Sequence, residues 1–481
     1  MKLTINKIES ISGVDSVVYL ISDSKFLSTN FLSGSELKYI EKHRTRYDKE
    51  LISLNRTSKI IFIQFIDKKA ELPARLEKIR RSGEKVCSLL NNNKIKKINL
   101  YDTEGSVQET LALAEGIALS NYQFTTYRNK MADKEYNSLQ QVNVFSKKIE
   151  EADIESLRVG VEATYKCRDL VNHPVSYLTA ARLGEEAKKL GEEAGLKVEV
   201  FTKKKIESLK MGGLLAVNRG SVDPPSFTVM EWKPDNAKNE KPYLLVGKGV
   251  VYDTGGMNLK IQDHMNNMKS DMAGAAAVIT TLYAVARLKL PVHVIGLVPA
   301  TDNRVDGNAI VSGDVITMHD DTTVEVINTD AEGRLILADA LSYAKKYKPE
   351  VVMNMATLTG SAQRATGRQG MVGMHQKAEM PFNRLVQSGY KVHERIAPFP
   401  FWDEYDEELK SDIADVKNMG GSNAGAITAG KFLARFTDYP FIHLDIAGVA
   451  FNEKKNTYQG VGGSGIGTRL FVDFLSGISS Q

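Results

Sequence analysis

The chain has 481 residues, of which 42% are hydrophobic and 25% are charged, and its formal net charge is +4. This composition is typical of globular proteins rather than disordered or fibrous ones, and the length exceeds one compact core of about 100–200 residues, so we expect two or three domains. A charge this close to neutrality neither requires nor excludes a nucleic-acid partner.

Other global features favour a reducing, aqueous compartment. The two cysteines, Cys87 and Cys167, are too few for a disulfide framework, and neither belongs to a Cys-x-x-Cys pair. The N-terminal "MKLTINKIESISGVDSVVYL" interleaves charged and apolar residues and lacks the apolar core of a signal peptide. No segment reaches the roughly 18 apolar residues of a membrane span. We therefore expect a cytoplasmic protein without membrane association.

The first third of the chain alternates apolar runs with amphipathic stretches, which indicates an N-terminal α/β domain over residues 1–150. The predicted elements are strands at 17–22, 59–66 and 96–102 and helices at 71–90 and 106–124. Residues 125–152 are polar, so the domain connection is expected there. A linking helix is predicted over 151–174, ended by Pro174.

Residues 175–481 are expected to form a second domain, in which the apolar runs are more continuous. Such runs suit the interior of a central, mixed but mostly parallel sheet with helices on both faces, an α/β/α arrangement. The predicted elements are strands at 243–247, 292–300, 323–327, 351–358 and 441–450 and helices at 273–288, 333–347 and 467–475.

Acidic residues and lysines gather at the predicted strand ends of this domain. The segment "INTDAEGRL", 327–335, could be no more than a capped turn between a strand and a helix. The carboxyl ends of neighbouring strands share one crevice, however, so its acids could meet those of residues 245–278. Several carboxylates in one partly buried place repel one another unless cations neutralise them. Two divalent ions would do this, and they would also activate water for hydrolysis.

Three segments resemble motifs of the leucyl aminopeptidase family, the two-metal cytosol aminopeptidases. They are "VGKGVVYDTGG" at 246–256, "MKSDMAGAAAV" at 268–278 and "NTDAEGRL" at 328–335. The resemblance extends over roughly residues 155–481. It implies a metallo-exopeptidase, a hydrolase that removes N-terminal residues from peptides, with leucine and other apolar side chains preferred.

The resemblance also implies the metal ligands. They are Lys248, Asp253, Asp271, Asp330 and Glu332. Asp253 and Glu332 would bridge two divalent ions, Lys248 would bind as a neutral amine together with Asp271, and Asp330 would serve the more loosely held ion. A carboxylate-rich site accepts Mn²⁺, Zn²⁺ and Mg²⁺. We expect Mn²⁺ to activate best and Zn²⁺ to occupy the site often.

Two further residues have catalytic roles by the same resemblance. Arg334 would hold a bicarbonate ion that acts as the general base, and Lys260 would stabilise the negative charge that develops on the substrate oxygen. The eight histidines include no His-Glu-x-x-His pair, so a single-zinc peptidase site is not expected.

A pocket for the first substrate side chain is implied as well. Its residues would be Met268, Thr357, Gly360, Ala447 and Ala450. Ala450 is small where some relatives carry a larger residue, so a bulkier first residue is expected to be tolerated. The sequences of residues 301–307 and 366–380 differ from those usual in the family, and we expect both segments to be loops near the entrance of the active site.

The expected partners are peptide substrates and other copies of the chain. The resemblance implies a homo-hexamer, a dimer of trimers whose active sites face an inner cavity. An alternative function is DNA binding in an architectural or regulatory role, as in some bacterial relatives, but the mild net charge gives it little support. A two-metal phosphoesterase would explain the carboxylates but not the full set of motifs.

Overall fold

The computed structural model describes residues 3–10, 15–27, 32–102, 104, 106–130, 132 and 135–479. The chain divides into two compact units. One comprises residues 1–162 and 454–460, and the other comprises 163–453 and 461–481. The boundary falls inside the helix Glu151–Asn172. None of the helices in the described part of the chain combines the length and apolar character that a membrane crossing requires.

The first unit is built on a six-stranded sheet. Its elements are β1 (Thr4–Lys7), β2 (Ser16–Ile21), α1 (Gly34–Tyr47), β3 (Leu51–Asn55), β4 (Ile60–Phe65), α2 (Leu72–Asn92), β5 (Lys97–Asp102), α3 (Val107–Ser120) and β6 (Gln141–Phe145), followed by α4 (Glu151–Asn172). The strand order is β1-β6-β5-β2-β4-β3, with β3 antiparallel to β4 and the other described pairings parallel. Residues 125–152 were expected to contain only a polar connection between domains, but they include strand β6, so that expectation was wrong.

The second unit contains a large main sheet and a separate small sheet. Its elements up to the middle of the unit are α5 (Ala180–Ala194), β7 (Lys197–Phe201), α6 (Lys203–Ser208), α7 (Gly212–Asn218), β8 (Ser226–Trp232), β9 (Tyr243–Gly247), β10 (Gly249–Asp253), α8 (Ala273–Arg287), β11 (Val294–Asn303), β12 (Val315–Thr317), β13 (Thr323–Glu325) and α9 (Glu332–Ala344). The elements that follow are β14 (Val351–Ala356), α10 (Gly360–Thr366), β15 (Met371–Gln376), α11 (Glu379–Val392), β16 (Ile396–Pro398), β17 (Val416–Lys417), α12 (Gly425–Ala434), β18 (Phe441–Asp445), β19 (Phe451–Asn456), β20 (Gly460–Gly463) and α13 (Thr468–Ser479).

The main sheet of this unit has the order β16-β15-β18-β14-β9-β11-β8-β7, and β10 pairs with the far end of β11. The central pairings of β18, β14, β9 and β11 are parallel. Helices α8 and α9 both pack on β9 and β11. Leu244 and Val246 of β9 join the apolar cluster that contains α9, and the intervening Leu245 points to the other face. The predicted mixed, mostly parallel α/β fold is confirmed.

Two segments differ from their predicted structure. Residues 366–380 were expected to form a loop, but 371–376 are strand β15 of the main sheet. The predicted strand at 323–327 is shorter and belongs to a separate small sheet of order β12-β13-β17.

Candidate active site

The candidate site lies at the carboxyl ends of parallel strands in the main sheet. Lys248 separates β9 from β10, and Asp253 is the last residue of β10. Asp271 lies two residues before α8, and Glu332 is the first residue of α9. Because β9 and β14 are parallel neighbours, their ends open on the same edge of the sheet, where ligands bind in such folds.

Lys248 is the centre of one group of contacts. Its Nζ donates to Asp271 Oδ1 at 2.7 Å and to the carbonyl oxygen of Thr357 at 2.9 Å. The same nitrogen lies 2.9 Å from Glu332 Oε1. Thr357 also donates its hydroxyl to Asp271 Oδ1 at 2.7 Å. This group joins elements from separate parts of the chain.

Lys260 is the centre of a second group. Its Nζ lies 2.7 Å from Asp253 Oδ2 and 2.5 Å from Asp330 Oδ1. The other oxygen of Asp253 accepts hydrogen bonds from the backbone N–H of Gly255 at 2.8 Å and from Asn303 Nδ2 at 2.9 Å. The two lysines are thus each paired with two of the four carboxylates predicted as metal ligands.

Burial and the crowding of charges displace the pKa values of these groups. Burial raises the pKa of Asp330 to about 7, and the carboxylates of Asp253 and Glu332 act in the same direction. Burial also raises the pKa of Asp271, against the effect of Lys248. Burial by itself lowers the pKa of Lys248, but the surrounding carboxylates outweigh it and the net shift is upward. The ionised forms of Asp330 and Asp271 are therefore disfavoured, whereas the ammonium form of Lys248 is favoured.

The residues of the site fit divalent cations. Oxygen atoms of Asp253, Asp330 and Glu332 lie within 4.8 Å of one another. Both carboxylate oxygens of Glu332, and Oδ2 of Asp271, are buried and accept no hydrogen bond from the described residues. The Lys248 ammonium lies 2.7 Å from Asp271 Oδ2 and 2.9 Å from Glu332 Oε1, but its single charge serves two buried carboxylates, which are costly to bury without further cations. Clustered carboxylate oxygens are the ligands that suit Mn²⁺ and Mg²⁺.

Arg334 is buried, but it does not line the cavity that the other predicted residues share. It is only 7% exposed, and Nη1 donates to the carbonyl oxygen of Asn418 at 2.7 Å. Its Nε is buried and makes no hydrogen bond with the described residues. Burial lowers the pKa of Arg334 to about 10, against the effect of Glu332 and Asp445. A buried guanidinium with an unused N–H suits an anion such as bicarbonate.

A cavity of about 590 Å³ connects these groups with the predicted side-chain pocket. Every predicted site residue except Arg334 lines it, and the pocket members among them are Met268, Thr357, Gly360, Ala447 and Ala450. Further residues line the cavity that were not predicted from the sequence, among them His264, Gln363 and Phe451. Phe451 directly follows Ala450, so a small and a large apolar residue stand side by side in the wall.

Sequence analysis also missed the asparagines that hold the site together. The Nδ2 atom of Asn303 donates to Asp253 Oδ1 at 2.9 Å and to the carbonyl oxygen of Thr329 at 3.1 Å, so it links the two residues. It lies in 301–307, which was expected to be a loop, whereas 301–303 are the end of β11. Asn258 accepts the backbone N–H of Thr329 at 2.8 Å. Because their amide side chains are uncharged, these asparagines do not stand out in the sequence, and only the three-dimensional structure shows that they contact the site.

A model of the catalytic domain of the cytosol aminopeptidase family matches residues 165–472, more than half of the chain. The chain belongs to this family. The family predicted from the sequence is thus confirmed, and it is a family of peptidases.

Several curated relatives are named probable cytosol aminopeptidase. The one from Chlorobaculum parvum is 53% identical over 311 residues, which are 64% of this chain and 61% of the relative. For the one from Syntrophotalea carbinolica the identity is 39% over 410 residues, 82% of each chain. The chain thus spans only about three fifths of the length of the relative from Chlorobaculum parvum. The same holds for a relative from Chloroherpeton thalassium.

Solved structures share the fold over nearly the whole chain. The bottromycin maturation enzyme BotP in complex with Mn has a TM-score of 0.84 and 28% identity, covering 96% of this chain and 99% of BotP. A mutant of tomato leucine aminopeptidase has a TM-score of 0.86 and 25% identity, covering 99% of this chain and 96% of that one. The likeness thus includes both compact units.

Proposed function

We propose that this chain is a metal-dependent aminopeptidase that removes leucine and other apolar residues from the N-termini of peptides. The observation that carries the proposal is the meeting of four carboxylates and two lysines on the wall of one cavity, in a chain of a peptidase family. The complex of BotP with Mn supports the dependence on metal, and the likeness to a leucine aminopeptidase from tomato supports the substrate class.

Two divalent ions would be held by the carboxylates and by one lysine. The ligands would be Lys248, Asp253, Asp271, Asp330 and Glu332, all of which line the cavity. Bound ions of this kind supply an activated water and polarise the scissile carbonyl. Lys248 must lose its proton to take part, and its contacts with Asp271 and Glu332 place its amine among the other ligands. Mn²⁺ and Zn²⁺ are the ions we propose, with Mg²⁺ as a weaker substitute.

Arg334 and Lys260 would act without binding metal. The buried guanidinium of Arg334 would hold bicarbonate, which would supply a general base next to the metal site. The Lys260 ammonium is paired with Asp253 and Asp330. When those carboxylates pair with cations, it becomes available to stabilise the negative charge on the substrate oxygen.

The substrate is fixed at its first residue. The free α-amine meets the carboxylate-rich end of the cavity, and the first side chain enters the pocket of Met268, Ala447 and Ala450. These apolar groups suit Leu or Met, and the short Ala450 side chain leaves space for a larger residue beside Phe451. We propose that phenylalanyl peptides are accepted as well.

A homo-hexamer and a cytoplasmic location remain proposals that rest on the family resemblance and on the names of the relatives. Light scattering of the purified protein tests the first, since a particle of one or two chains would reject a hexamer. No observation on the described residues favours the alternative of DNA binding.

The decisive experiment is hydrolysis of leucyl p-nitroanilide with Mn²⁺, with a chelator, and by the variant Glu332→Ala. We expect turnover only in the first case, because Glu332 is buried among the proposed ligands. Glu350→Ala is a matched control, since Glu350 is an exposed glutamate that does not line the cavity. No turnover by the wild type, or equal turnover in all conditions, would reject the proposal.

A further inference from the structure

Asn418 is a fully buried residue that directly follows β17, a strand of the small sheet and not of the main sheet. Its Oδ1 accepts the backbone N–H of Ile327 at 2.8 Å and that of Asn328 at 3.3 Å. Its Nδ2 donates to the carbonyl oxygen of Asn328 at 2.8 Å and to that of Ala331 at 3.5 Å. One side chain therefore contacts both ends of the turn that carries Asp330.

These four contacts use the full hydrogen-bonding capacity of an asparagine side chain, two lone pairs on the oxygen and two hydrogens on the nitrogen. The partners also fix which way the amide points, because two are N–H donors and two are carbonyl acceptors. The carbonyl oxygen of Asn418 in addition accepts the hydrogen bond from Arg334 Nη1. A single residue thus touches the turn before Glu332 and the arginine after it.

The backbone of Asn418 is itself anchored. Its N–H donates to the carbonyl oxygen of Glu325 at 2.9 Å, and the preceding Lys417 pairs with Glu325 in the parallel register of β17 and β13. The turn could not be held this way by its own residues, because β13 ends before it and α9 starts only at Glu332. The small sheet therefore supplies a fixed point for both ends of the turn, in addition to the contacts of Asn258 and Asn303 with Thr329 in its middle.

We infer that Asn418 is a positioning residue that sets the relative placement of Asp330, Glu332 and Arg334 for metal binding and catalysis. This inference rests on the proposed function for the roles of those three residues. Asn418 acts through the backbone of the turn and through Arg334, and it does not line the cavity. Partners that orient metal ligands from behind commonly change metal affinity or activity by about 10- to 100-fold when they are removed.

The test compares Asn418→Asp and Asn418→Ala with the wild type. Aspartate keeps the size and both acceptor sites but loses the two hydrogens, and it turns a carboxylate oxygen toward the carbonyl oxygens of Asn328 and Ala331. We expect both variants to bind Mn²⁺ about 10- to 100-fold more weakly in calorimetric titration. We expect kcat for leucyl p-nitroanilide to fall by a similar factor while KM changes less, because the side-chain pocket is untouched.

Asn218→Ala is the matched control for the loss of a buried amide. Asn218 is 3% exposed, and its Nδ2 donates to the carbonyl oxygen of Asp223 at 2.8 Å and to the hydroxyl of Thr301 at 3.1 Å, away from the turn. A merely structural role would lower the melting temperature of Asn418→Ala and Asn218→Ala alike and leave Mn²⁺ affinity unchanged in both. That result would overturn the inference.

The titration also separates this inference from the proposed function. If the wild type binds Mn²⁺ and the Asn418 variants bind it weakly, but no peptide amide is hydrolysed, the positioning role stands and the peptidase assignment fails. If the wild type hydrolyses the amide and the Asn418 variants match it in Mn²⁺ affinity and kcat, the positioning role fails and the peptidase assignment stands. Should Asn418→Ala not fold, the near-isosteric Asn418→Asp carries the comparison.

Discussion

Gly333 lies so close to Lys248 that any side chain at position 333 would collide with the lysine where it stands. A Cβ atom on Gly333 would lie 2.2 Å from Cε and 2.7 Å from Nζ of Lys248. The atoms it would meet are the end of a flexible side chain on the cavity wall, so the lysine would move in response. The glycine in "NTDAEGRL" therefore keeps open the space that the Lys248 amine occupies.

Gly333→Ala is predicted to displace the Lys248 amine from Asp271 and Glu332 while leaving the helix intact, because alanine favours helix more than glycine does. We expect Mn²⁺ affinity and kcat to fall by about 10- to 100-fold. Calorimetry and leucyl p-nitroanilide hydrolysis measure these effects. Gly160→Ala is the control, since Gly160 lies in α4 with nothing within 4 Å of the added carbon. Equal activity of the two variants would contradict the prediction.

Metal binding is predicted to stabilise the fold as well as to permit activity. The four carboxylates of the site are paired with only two lysines, so a divalent cation relieves a cost of the folded state. At a free Mn²⁺ concentration of about 100 times its Kd, the gain is about 2.7 kcal/mol. Melting curves with Mn²⁺ and with chelator test this. The rise should vanish in Glu332→Ala and persist in Glu350→Ala, and an unchanged wild-type melting temperature would refute it.

The central strands were predictable because buried parallel strands are continuous apolar runs. The strand expected at 243–247 is β9 without change, and the helices expected at 273–288 and 333–347 lie within a residue or a few of α8 and α9. Helix α1 was missed because only Ile40 on it is buried. A signal existed nonetheless, since Ser33 and Glu36 form a capping box at its start.

The site was predictable only in part, for a related physical reason. Charged residues at strand ends stand out in a sequence, and the structure brings Lys248, Asp253 and Glu332 together as that pattern indicated. Asn303 and Asn418 do not stand out, because a neutral amide has the same appearance in a turn, a cap or a surface loop. Their contacts are with residues distant in the sequence, and such contacts depend on how the strands pair.

The stability of the second unit is predicted to depend on pH through Asp339. This residue of α9 is completely buried, and its carboxylate accepts the backbone N–H groups of Leu214 at 2.8 Å and His319 at 2.9 Å. Burial raises its pKa from 3.8 to about 7, against the effect of these hydrogen bonds. Because the folded chain holds this proton more tightly, the associated stability is present below about pH 4 and is lost as the pH rises through about 7.

Asp339→Asn removes the titration at this position. The free energy of unfolding of the wild type should therefore fall relative to that of Asp339→Asn, by up to about 1.4 kcal/mol per pH unit within that window. Urea denaturation at several pH values, with chelator present throughout, measures the difference. Asp306→Asn is the control, since Asp306 is exposed, and its free energy of unfolding should change with pH in parallel with that of the wild type. A difference that is constant with pH, or that changes in the opposite direction, would disprove the effect.

The breadth of the substrate pocket is predicted to depend on Ala450. Its side chain is 3% exposed and lines the cavity with Met268 and Phe451. Ala450→Met would fill the space beside Phe451, and lost or blocked apolar volume in a pocket commonly changes discrimination by about 10- to 200-fold. We expect kcat/KM for phenylalanyl p-nitroanilide to fall at least about 10-fold, with that for the alanyl substrate nearly unchanged, because a methyl group does not reach this wall. Ala450→Val should give a smaller loss of kcat/KM, again larger for the phenylalanyl than for the alanyl substrate. Equal losses for both substrates would mean that position 450 affects the fold or the metal ligands and does not set the size of the pocket.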